Sequence, residues 1–97
     1  MLDIDNRLKC VELLTRYGPA PQIMLLIEEC SELQKEACKL IRYEDAPVDV
    51  HNEICDRFQE ELVDVIVMVT QMCVMQGLTE SDINRMAKAK LDRALAR

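Results

Sequence analysis

The sequence predicts an all-α protein: a single domain over residues 1–97, four helices in a bundle, completed by homo-oligomerisation. Three observations carry that prediction. Apolar residues recur at helical spacing in four stretches, and no stretch alternates as a strand would. Apolar residues make up 49% of the chain but aromatic ones only 3%, so the core must be built from Leu, Ile, Val, Met and Ala. The third stretch is too apolar for so small a chain to cover alone, because a short chain buries only a modest share of its surface.

The elements follow in order. The first helix is expected from Asp3 to Tyr17, with Ile4, Leu8, Val11 and Leu14 on one face. "YGPAP" ends it, since Gly and Pro punctuate the chain and a Pro can open the next helix. The second helix is expected from Pro21 to Arg42, and "YEDAPVDV" (Tyr43 to Val50) is the one sizeable loop. The third covers His51 to Gln76 and ends at Gly77, which suits a left-handed cap. Thr79 with Asp82 three residues on resembles a capping box and starts the fourth.

Charge and cysteine content exclude several function classes. A net charge of −6 argues against coating polymeric nucleic acid, which needs a basic footprint. The distribution is uneven. Residues 1–78 hold fifteen Asp/Glu against seven Lys/Arg, a net of −8, and residues 79–97 hold three against five, a net of +2. Five scattered cysteines without a CxxC pair do not read as a disulfide framework. His51 and Cys55 share a helical face, but two ligands do not make a zinc site. The start, "MLDIDNRLKC", lacks the apolar core of a signal peptide. The longest apolar run, Leu62 to Met75, falls short of the roughly 20 residues of a membrane span. The expectation is a cytoplasmic protein with no membrane partner.

The acids are where the chemistry concentrates. "EECSE" on the second helix supplies Glu28, Glu29 and Glu32, with Glu36 a turn further on. At about 100° per residue, Glu29, Glu32 and Glu36 lie on one side, next to Leu25, Leu26 and Leu33. Like charges at such spacing repel by about 0.2–0.5 kcal/mol each on an exposed helix, and by more where water is excluded. On the third helix Glu61 and Asp64 are likewise neighbours, yet residues 62–69 are otherwise all apolar. One reading makes both stripes solvated surface, eased by Glu32–Lys35 and Glu36–Lys39 pairs. The other packs the two helices antiparallel, so that Glu29, Glu32, Glu61 and Asp64 meet as a cage of about −4, untenable without divalent cations. Oxygen-only ligands with open positions suit Mg²⁺ or Mn²⁺, which recruit substrate phosphates.

"EECSE" followed by "ELVD" resembles the EExxE…ExxD signature of the all-α nucleoside triphosphate pyrophosphohydrolases, the MazG-like and dCTP-pyrophosphatase group. The likeness runs from Tyr17 to Arg97, and the 28 residues between Glu32 and Glu61 fit that family's connector lengths. It implies a MazG-like bundle in a homodimer or homotetramer. Glu29, Glu32, Glu61 and Asp64 would be the ligands of Mg²⁺ (or Mn²⁺), and Glu28 a residue that orients water. The family's basic KxxxN(R) stretch, which touches phosphates, finds its nearest match in "KAKLDR": Lys88, Asp92 and Arg93, with Asp92 where Asn is usual. An ordinary Lys88–Asp92 ion pair is the competing reading. Gln22, two turns before Glu29 on the same face, is a candidate contact for sugar or base, or else a polar residue at the helix start. The aromatics that sandwich a base in dCTP-directed members find no clear counterpart among Tyr17, Tyr43 and Phe58.

The activity this implies is cleavage of a nucleoside triphosphate between its α and β phosphates, in a house-cleaning role. Two alternatives stand beside it. One is a phosphoribosyl-ATP pyrophosphohydrolase-like enzyme, which shares the acidic motif and an end similar to "GLTESDI". Met68 stands where that group carries histidine. The other is a non-enzymatic helical dimerisation module whose acids are only surface charge.

Overall fold

The computed structural model describes residues 1–97 and contains four helices and no strand. They are α1 (Ile4–Tyr17), α2 (Pro19–Arg42), α3 (Val48–Gln76) and α4 (Glu80–Leu95). The Asp3 side chain caps α1 by accepting from the Asn6 N–H at 2.9 Å. Gly18, at φ 84°, is the joint between α1 and α2. A side chain there would be strained, so glycine is required by the backbone.

Two helix starts differ from expectation. Helix α2 begins at Pro19 and not Pro21. Both prolines sit in the first turn, where a missing N–H costs no helical bond. Helix α3 begins at Val48, three residues before His51. "VDV" is helical although its cap position, Pro47, offers no side-chain acceptor to mark a helix start in the sequence. Asp49 in the first turn offsets this by facing the positive end of the helix dipole.

The end of α3 matches the expectation in detail. Gly77 is left-handed at φ 68°, its N–H donates to the Val74 carbonyl at 3.1 Å, and the Leu78 N–H donates to Cys73 at 2.9 Å. This is a Schellman arrangement, which satisfies carbonyls the helix leaves open. The capping box also forms. Asp82 N–H donates to Thr79 Oγ1 at 3.1 Å, and Thr79 N–H donates to Asp82 Oδ2 at 3.0 Å. The chain turns by 109° between α3 and α4.

Helices α1, α2 and α3 form one layer with α3 central, touched by both α1 and α2. No Cα of α4 lies within 8 Å of another helix, so a single copy is not a four-helix bundle. The chain is correspondingly spread out, with a radius of gyration of 16.2 Å. A compact chain of this length would measure about 13 Å. Cys10, Ile54 and Met68 are the only fully buried apolar residues, whereas Ile4, Leu8, Ile27, Leu62, Val63 and Val69 are exposed. All five cysteines are free, with Cys38 exposed and Cys10 buried beneath α3. No single helix is long and apolar enough to cross a membrane.

Candidate metal centre

Helices α2 and α3, joined by a short turn, make the most extensive helix–helix contact in the chain. The structure brings Glu29, Glu61 and Asp64 together, each offering a carboxylate oxygen within 4.8 Å of the other two. Glu29 and Glu61 are half-buried between the helices, and Asp64 stands at the exposed edge. Glu32 is exposed and outside this triplet, but its charge still acts on Glu61.

The electrostatics are those of acids forced together. Loss of water pushes the Glu29 carboxyl above its ordinary 4.5, and the charges of Asp64 and Glu61 push it further. Desolvation likewise raises Glu61, joined by the charges of Asp64, Glu32 and Glu36 and offset in part by hydrogen bonding with Glu29. Glu61 Oε2 is shut off from water and has no hydrogen-bond partner. A buried, unpartnered carboxylate oxygen beside two further carboxylates fits a hard divalent cation. The donor set is all oxygen, with none of the soft ligands that mark a zinc or copper site.

Two polar residues extend the same face. Glu36 is buried at 6% exposure, with Oε1 bonded to Lys39 at 3.2 Å and Oε2 unpartnered. The solvated-stripe reading required Glu36 in water and a second pair between Glu32 and Lys35. Only the Glu36–Lys39 pair forms, and it is covered. Gln71 is fully buried with Oε1 unpartnered. Gln22 on α2 is likewise buried, at 4% exposure. Glu36 and Gln71 stand at helical spacing from Glu32 and Asp64 and continue the polar face of each helix.

The remaining candidates lie elsewhere. Glu28 is exposed, around the helix from Glu29. Gln22 is on the cluster's face of α2 but covered within a single copy. Lys88 and Asp92 form an exposed i,i+4 ion pair at 2.7 Å, and Arg93 is exposed beside them. All three are on α4, which leaves the layer, so one chain does not bring them to the acids. His51 Nε2 lies 3.5 Å from Cys55 Sγ with no third ligand grouped beside them.

Compared with family models, curated proteins and solved structures, the chain matches none. What fold and site define together is an all-α chain with a carboxylate triplet, able to hold a metal, between its two longest helices.

Proposed function

We propose that the protein is a Mg²⁺-dependent nucleoside triphosphate pyrophosphohydrolase. It cleaves between the α and β phosphates to release a nucleoside monophosphate and pyrophosphate, in a cytoplasmic house-cleaning role. The observation that supports this is the convergence of Glu29, Glu61 and Asp64 within 4.8 Å, at the positions the EExxE…ExxD resemblance marks. On this reading those three acids, with Glu32 beside them, hold Mg²⁺ or Mn²⁺. When bound, the ion supplies charge neutralisation at phosphate oxygens and a more acidic water.

The chain's own residues do the rest. Glu28, exposed on the turn of α2 that carries Glu29, orients the attacking water and accepts its proton. Lys88 and Arg93 hold the distal phosphates, with Asp92 fixing Lys88. Gln22 meets the sugar or base once the face covering it opens. The fold works as a homodimer or homotetramer.

A panel of ribo- and deoxynucleoside triphosphates with Mg²⁺, followed for pyrophosphate and orthophosphate separately, tests the reading. Pyrophosphate with monophosphate supports it, and orthophosphate alone rules out the cut. The extent of exposed apolar surface favours the second reading, a helical association module without activity. That module would process no nucleotide in the panel.

A further inference from the structure

Helix α4 is well formed but supported only at its start. Thr79 and Asp82 cap it and Glu80 pairs with the Met1 amino group at 3.4 Å, yet no Cα of the helix lies within 8 Å of another helix. A lone helix of that length is marginal in water and ordinarily draws its stability from burying one face. That face exists: Ile83, Met86, Leu91 and Leu95 form an exposed apolar stripe. At about 100° per residue, Lys88 and Arg93 border the stripe and Lys90 lies within it.

A complementary surface lies on α3. On α3, which both α1 and α2 contact, Leu62 and Val63 remain exposed; Val69, also exposed, shares a recess with Ile83 of its own chain. A second recess, of about 640 Å³, is lined by Asp56, Gln59, Glu60, Val63 and Asp64, with three carboxylates and no basic residue. The opposed charges of residues 1–78 and 79–97 follow the same division.

The surface area identifies the occupant. The chain exposes 7374 Å². A compact monomer of 11.2 kDa exposes about 5,700 Å². The excess of about 1,700 Å² exceeds the roughly 800 Å² per partner of a standard interface, and suits an obligate pairing of like chains.

We propose that α4 is an inter-subunit arm. Its apolar stripe seats on the uncovered α3 strip of a second copy, and its Lys88, Lys90 and Arg93 stand against that copy's acidic recess. Two-fold symmetry makes the exchange reciprocal. Because Asp64 belongs to both recess and triplet, each arm carries cations to the edge of its partner's acidic cluster. The inference rests on the homo-oligomer part of the reading above and not on its chemistry, so it is tested without metal or nucleotide.

Sedimentation equilibrium of the full chain reads it directly. The wild type is expected to be a dimer or larger at micromolar concentration. Leu91→Asp should weaken association by about tenfold or more, with helicity falling by no more than the share that α4 contributes. Lys90→Glu and Glu60→Lys should each weaken it. An equimolar mixture of those two variants should associate more tightly than either alone, because both arm contacts of a mixed pair again join opposite charges. Three results would overturn the proposal: a wild type monomeric throughout, association indifferent to Leu91→Asp, or a mixture no tighter than its components. A monomer taken up by phosphatidylserine vesicles through α4 would overturn it too.

Discussion

Glu29 on α2 and Asp64 on α3 hold carboxylate oxygens within 4.8 Å of each other across an antiparallel helix pair, and Glu61 completes the group. No lysine or arginine pairs with any of the three. Their mutual repulsion is therefore met by protons or by an added cation, and most consequences of the structure follow from that choice.

Neutralising one acid should stabilise the metal-free protein. Glu61→Gln keeps the shape but removes a charge that Asp64, Glu32 and Glu36 all oppose. Its melting temperature in chelator should rise above that of the wild type, read by thermal denaturation at neutral pH. Asp64→Asn should act in the same direction.

The same acids set a pH dependence of definite sign. Glu29 and Glu61 have folded-state values above the ordinary 4.5, so between that value and their raised ones the native state binds more protons than the unfolded state. Their destabilising effect is absent below about pH 4.5 and grows as pH rises through the folded values. Without metal, the stabilisation gained by Glu29→Gln with Glu61→Gln should be large at pH 7.5 and shrink toward pH 4.5. A gain independent of pH would mean the two carboxyls are not strained.

Added Mg²⁺ or Mn²⁺ should raise the melting temperature of the wild type. At 100 times its dissociation constant, a cation binding only the folded state adds about 2.7 kcal/mol. The increment should be lost in Glu61→Gln with Asp64→Asn, although that variant folds.

Lys39 covers a different liability. It is the one partner of the buried Glu36, whose second oxygen already lacks a hydrogen bond. Lys39→Met should cost about 1–3 kcal/mol in a denaturant titration at neutral pH, by leaving a carboxylate covered and unpaired. Lys39→Met combined with Glu36→Leu should recover most of that loss.

The elbow that sends α4 out of the layer rests on Gly77. A side chain there meets open space, so any cost comes from the backbone at φ 68°. Gly77→Ala should destabilise by about 1 kcal/mol. Thr79→Ala should cost about 0.5–2 kcal/mol of α4 stability by removing the cap, seen as reduced helicity.

Much of this was legible in the sequence because local chemistry decided it. Gly77 and Thr79 with Asp82 act within a turn or two and appear in the structure where expected; the meeting of Glu29 with Glu61 and Asp64 is a contact between two helices, and Glu32, expected in the same cage, stands outside that group. The start of α3 was hidden because Pro47 caps it without a side-chain bond. The departure of α4 was hidden for another reason: its stripe shows that it buries a face but not against what. Glu36 was masked by Lys39, a pair that reads the same whether wet or covered, and only the packing against α3 distinguishes them.

The central claim is that the α2–α3 carboxylates are a divalent-cation site, and calorimetric titration of Mn²⁺ into chelator-treated protein tests it most directly. Saturable binding by the wild type, abolished in Glu61→Gln with Asp64→Asn, is the predicted result. No saturable binding by the wild type, or equal binding by the double variant, would contradict it.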